Sequence, residues 1–149
     1  DQPAPSPEFP SPYVPVTDNP IQIREVEEAV QSLKGDKSGG PSGVPPGIMK
    51  LLPAPWITFI STFFSQLLLG HQYPCIWRLT KMVTLFKKGA RNECGNYRGI
   101  SLMDSMAKLY DTVLNKRLSR WWKPEREQAG SQKGRGCLEH ILTLRLLIE

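Results

Sequence analysis

RLTKMVTLFKKGARNECGNYRGISLMDSMAKLYDTVLNKRLSRWW, residues 78–122, changes its hydrophobic period once, and that change decides the fold. Over 78–87, Lys81, Val83 and Leu85 alternate with Met82, Thr84 and Phe86. Neither side is wholly apolar, but Val, Thr and Phe suit a pleated surface, so this stretch reads as a strand. KKGARNECGN (87–96) is rich in turn formers and carries Lys87, Lys88 and Arg91. YRGI (97–100) reads as a second short strand, which pairs with the first as an antiparallel ribbon with the basic loop at its tip. From 102 to 122 the period becomes helical. Met106, Leu109, Tyr110, Val113, Leu114, Leu118 and Trp121 share a face, and Lys108, Lys116, Arg117 and Arg120 lie largely off it. Ser101 and Asp104 match the Ser/Thr-x-x-Asp/Glu capping signature at the start of this helix.

The same rules organise the flanks. Residues 55–69 form a strongly apolar helix with a polar stripe of Thr58, Ser61, Thr62, Ser65 and Gln66, and Gly70 can end it. At that length it is too short to span a bilayer comfortably, so it reads as a core helix. Residues 22–34 form an amphipathic helix. Ile23, Val26, Val30 and Leu33 lie on one face, acids sit in the first turns, and Gly35 follows as a C′ residue. Between these helices, Gly35 to Gly47 holds five Gly and three Pro, which makes a loop. It lacks the Gly-Lys-Ser/Thr of a phosphate loop. Residues 1–20 hold seven Pro and read as an extended linker, or less readily as a ligand for proline-binding domains. Residues 127–136 are a loop, and CLEHILTLRLLIE (137–149) is a last helix whose apolar pattern runs to the final residue without a cap. That open end reads as the front part of a longer sequence. The fold class is α+β and mainly helical.

Charge and cysteine narrow the function. The formal charge over 149 residues is +5, but residues 78–126 hold twelve bases against four acids. Such a block favours a polyanionic partner, usually nucleic acid. Cys75, Cys94 and Cys137 have no CxxC spacing, and His71 and His140 lie far apart, which excludes disulfide scaffolds and zinc ribbons. The three thiols are expected to be reduced and buried as small hydrophobes. The polar, Pro-rich start carries no secretory pattern. An intracellular protein, nuclear or cytoplasmic and without a membrane partner, is expected.

The order of motifs then carries a resemblance. KSGGPSGVPPGIMK (37–50) is followed by the apolar helix, GHQYPCIW (70–77), TLFKKG (84–89), NYRGISLMDSMAKLYDTVLNKRL (96–118) and QAGSQKGRGCLEHILTLRLL (128–147). This resembles the amino-terminal part of the reverse transcriptase of non-LTR (LINE-type) retrotransposons, over about residues 20–149. The resemblance implies the fingers subdomain of a right-hand polymerase, with a short antiparallel β-ribbon. It divides the chain into a Pro-rich linker, 1–20, and a partial reverse-transcriptase domain, 21–149, holding the fingers and the start of the palm.

The partners so implied are an RNA template, a DNA primer, a deoxynucleoside triphosphate and the remainder of the polymerase. By the same resemblance, Lys87 or Lys88, together with Arg98, would hold the triphosphate, for which a point charge and a bidentate fork are the right chemistry. Gln128, Gly130, Lys133, Gly134 and Arg135 fall on a template-facing loop of the family, and Lys37, Gly40, Pro41 and Gly43 on an upstream one. Ser42 stands where the family has Asp, and Ser131 and Gln132 replace the commoner Phe-Arg pair. The complete enzyme would need Mg²⁺ held by carboxylates. The five Asp of this chain, Asp1, Asp18, Asp36, Asp104 and Asp111, are never adjacent, so no catalytic or metal-binding residue is assigned and no polymerase activity is expected from these residues alone. The alternative is a stand-alone basic module that binds nucleic acid through the 78–126 block, with Tyr97, Tyr110, Trp121 and Trp122 interleaved among its charges.

Overall fold

Val26, Val30 and Leu33 enter the core from one face of the first helix, as their spacing predicts. The computed structural model describes residues 14, 18–70, 72–125, 128, 130 and 134–148. Nearly all of the proline-rich stretch therefore lies outside the described residues. Among those described, the order is α1 (Ile23–Ser32), α2 (Ala54–Leu68), β1 (Lys81–Phe86), β2 (Tyr97–Leu102), α3 (Ser105–Trp121) and α4 (Cys137–Ile148). Short 3-10 turns cover Pro46–Leu51, Cys75–Arg78 and Cys94–Asn96. The class is mainly helical with one two-stranded antiparallel sheet, as expected from the sequence. No described helix is long and apolar enough to cross a membrane.

The core lies where α1 packs on α2 and α3. Its centre is aromatic. The Phe64 ring meets Tyr110 edge-on at 5.0 Å, and Trp77, from a 3-10 turn, touches Tyr73, Phe63, Phe64 and Tyr110 at 5.2 to 6.2 Å. Edge-to-face pairs of this kind add to the burial term. Burial holds the hydroxyls of Tyr73 and Tyr110 above their ordinary pKa. The α2 helix starts after Pro53 and ends at Gly70, which takes φ +86° and so closes the helix in the left-handed region.

Several details differ from the sequence reading. The N-cap of α3 is Asp104, whose Oδ1 accepts the Met106 N–H at 2.9 Å, while Ser101 sits inside β2. Residue i+3 of the signature does the capping because the strand extends to Leu102. The first helix ends on extended Leu33, so Gly35 is not its C′ residue. All three cysteines are exposed and unpaired, because they fall on 3-10 turns and the outer helix rather than on core elements. Trp121, on the apolar face of its helix by spacing, is more than half exposed, and so are Trp56 and Phe59 of the apolar α2.

Candidate functional site

The ribbon is the element that presents the predicted phosphate ligands. Its register pairs Lys81 with Leu102, Val83 with Ile100, Leu85 with Arg98 and Phe86 with Tyr97. The Lys87 N–H donates to the Asn96 carbonyl at 2.8 Å, which carries the ladder one residue past the strands. Side chains alternate along a strand, so Lys87 shares a face with Leu85 and hence with Arg98. Lys88 lies beyond the last ladder bond, in the bend. Lys87, Lys88 and Arg98 are all exposed. Among the described residues none forms an ion pair with any of the three.

The loop between the strands is ordered by its own polar groups. Asn96 Nδ2 donates to the Ala90 carbonyl at 2.8 Å and to Glu93 Oε2 at 3.0 Å. The Tyr97 hydroxyl donates to the Arg91 carbonyl at 2.9 Å. The Arg91 guanidinium lies 5.6 Å from the centre of the Phe86 ring, which itself meets Tyr97 edge-on at 5.5 Å. Arg91 is thereby engaged in a cation–π contact. Its pairing across the turn could have been found in the sequence only by fixing the register first.

The basic block expected over 78–126 divides in two. On α3, Lys116, Arg117 and Arg120 turn to α1. Arg117 is buried, and its Nε and Nη2 donate to Glu25 Oε1 and Oε2 at 2.7 and 2.6 Å. Its Nη1 and Nη2 also donate to the carbonyls of Asn19 and Pro20 at 2.6 and 2.8 Å. Lys116 Nζ donates to the Glu28 carbonyl at 2.7 Å, and Arg120 Nη2 to Glu28 Oε2 at 3.0 Å. The hydrogen bonds from Arg117 hold the Glu25 carboxyl below the ordinary carboxylate value, against the opposing effect of burial. By helical spacing Arg117 lies largely off the apolar face. It belongs to the core because a bidentate acid and two carbonyls satisfy its fork there.

The Gly-rich loop packs on the start of α3. Ser105 Oγ donates to the Val44 carbonyl at 2.5 Å, and a Cβ on Gly40 would come within 2.3 Å of the Met103 carbonyl oxygen. Gly40 therefore serves close backbone approach. Lys37, in the same loop, is exposed, with its Nζ 3.8 Å from Asp36 Oδ2. In the second candidate loop, Gln128 Nε2 approaches the Gly130 carbonyl at 3.5 Å, Gly134 has φ +79°, and Arg135 pairs with Glu139 at 3.0 Å. Lys133 lies outside the described residues. No group of three or more His, Cys, Asp or Glu among the described residues is placed to hold a metal ion.

The described residues thus form a helical core from which a two-stranded ribbon presents exposed Lys87, Lys88 and Arg98. The chain is related in sequence to the RNA-directed DNA polymerases of non-LTR retrotransposons. It is 30% identical over 135 residues to a probable RNA-directed DNA polymerase from transposon BS of Drosophila melanogaster, covering 86% of this chain and 15% of that protein. It is 28% identical over 102 residues to a retrovirus-related Pol polyprotein from the type-1 retrotransposable element R1 of Bradysia coprophila, covering 67% of this chain and 10% of the relative. A probable RNA-directed DNA polymerase from transposon X-element of Drosophila melanogaster is 26% identical over 106 residues, or 70% of this chain and 12% of the relative. The chain thus spans a small part of each relative's length. No protein-family model matches it.

Proposed function

We propose that this chain is the fingers portion of a retrotransposon RNA-directed DNA polymerase, residues 21–149 forming that partial domain, and that its ribbon holds the triphosphate of the incoming nucleotide. The observation that carries the reading is the register that sets Lys87 beside Arg98 on one exposed face, without an acid to neutralise either among the described residues. A lysine ammonium supplies a mobile point charge and an arginine a planar fork, and a triphosphate uses both. Within this reading Lys87, rather than Lys88, is the partner of Arg98. Lys37 and the loop of Gln128, Gly130, Lys133 and Arg135 contact the template backbone. No chemical step is assigned to this chain. Its part is to hold and orient substrate.

The test is titration of the 149-residue chain with a fluorescent deoxynucleoside triphosphate and, separately, with single-stranded RNA. Loss of one charge-assisted contact removes about 1.5–3 kcal/mol, so Arg98→Ala or Lys87→Ala should weaken triphosphate binding roughly tenfold or more. Lys108→Ala removes an exposed base on α3 and should leave it unchanged. Equal losses from all three variants would instead support a general basic surface, as would nucleotide binding that Arg98→Ala leaves intact. The burial and pairing of Arg117, with Lys116 and Arg120 turned to α1, weigh against that second reading.

A further inference from the structure

We infer that the reverse face of the ribbon, opposite Lys87 and Arg98, is a stacking platform for the bases of single-stranded nucleic acid. Directly opposed residues of an antiparallel pair share a face, so Phe86 and Tyr97 lie together, with Gly99 and Met82 further along the same side. The two rings meet edge-on at 5.5 Å. The Arg91 guanidinium lies 5.6 Å from the centre of the Phe86 ring. Gly99 puts no side chain on this face, and Met82 leans over it, since a Cβ there would come within 3.3 Å of Met82 Sδ. Phe86 keeps 44% of its surface in water and Met82 68%. Neither they nor Tyr97 join the hydrophobic core, so packing of the domain does not account for an aromatic pair at this place.

The chemistry of the occupant follows from what surrounds the rings. Tyr97 is anchored through its hydroxyl to the Arg91 carbonyl at 2.9 Å, and Asn96 Nδ2 holds the Ala90 carbonyl at 2.8 Å. The rings and their cation are therefore in place before a ligand arrives, and little freedom is lost on binding. Residues 86–98 carry Lys87, Lys88, Arg91 and Arg98 against a single acid, Glu93. A purely apolar partner would leave those charges unanswered. An unpaired nucleotide strand answers both features, because every base has a flat π face for the ring and the guanidinium, and every phosphate takes a charge. The face that holds Lys87 and Arg98 has Val83, Leu85 and Ile100 but no ring, so stacking belongs to the reverse side. The platform stands whether or not the other face holds a triphosphate.

The experiment titrates the full chain with labelled single-stranded RNA and DNA of one sequence, and with an abasic strand of the same length and charge. The quantity read is the ratio of base-bearing to abasic affinity. One base stacked on a protein ring is worth roughly fivefold to a hundredfold in affinity, so the parent ratio should fall in that range. Phe86→Leu keeps an apolar side chain without a π face and should bring the ratio close to one. Arg98→Ala, on the other face, should weaken both strands alike and leave the ratio as it was. A parent ratio of one overturns the inference, and so does a parent ratio that Phe86→Leu preserves. RNA and DNA should share the ratio, and a preference for bases confined to one of them also overturns it, because a sugar contact would then be the cause. The Lys87 amide, bonded to the Asn96 carbonyl, reports by its hydrogen exchange whether the ribbon survives each substitution. Should Phe86→Leu open the ribbon, Phe86→Trp decides: its ratio must equal or exceed the parent's, and a lower one refutes stacking. Triphosphate binding is titrated in parallel, and its absence in a parent that keeps the ratio would sink the triphosphate reading alone.

Discussion

Arg117→Ala should unfold this protein more readily than any change on the ribbon. The substitution removes a fork that fills four hydrogen bonds, two to Glu25 and one each to the carbonyls of Asn19 and Pro20. Breaking a buried pair costs about 3–5 kcal/mol, because the partner is left charged and dry. Glu25 keeps 18% of its side-chain surface in water, which puts the cost near the low end, about 3 kcal/mol. For a domain of this size that lowers Tm by on the order of 10 °C. Urea titration followed by circular dichroism measures it, with Arg98→Ala as the control that should stay within about 0.5 kcal/mol of the parent. Arg117→Lys restores the charge but not the planar fork, and should recover only part of the loss. In a double-mutant cycle with Glu25→Gln, most of the cost should appear as coupling. If Arg117→Ala lies within about 0.5 kcal/mol of the parent, the clamp between α1 and α3 contributes nothing and the reasoning fails.

Two further predictions rest on the same packing. Glu25 has a folded pKa depressed below its ordinary 4.5, so its stabilisation is present above that value and lost as pH falls through the depressed one. The urea midpoint of the parent should therefore fall as pH drops below 4.5, and the fall should be shallower in Glu25→Gln, a difference read from parallel titrations. Gly40→Ala would drive a Cβ against the Met103 carbonyl and the Asp104 amide, both main-chain groups that cannot rotate away. A loss of about 1–3 kcal/mol in thermal melts is expected from this overpacking, and an unchanged melt would mean that the loop does not press on α3.

The sequence is most legible where one physical signal acts alone. The apolar run of α2, bounded by Pro53 and Gly70, and the ribbon at 81–102 both follow from local chemistry. The polar residues of α2 and the bases of α3 do not. Ser61 and Ser65 look like a solvated stripe, and become core groups only because Ile21 brings its backbone to them. Arg117 looks like part of a cationic surface until α1 is docked with Glu25 in reach. Both are tertiary pairings across forty residues or more, which no local period encodes. Lys87 and Lys88 are equivalent as letters, and only the bond from the Lys87 N–H to the Asn96 carbonyl distinguishes their backbone positions.

The ribbon projects from the core, and no residue of either strand is buried. Its composition is thus almost uncoupled from the free energy of folding, in contrast with α3, where one arginine holds two helices together. Mutations can accumulate at its tip with little risk to the scaffold. Substitutions there can change surface charge while the helical platform that sets stability stays as it is.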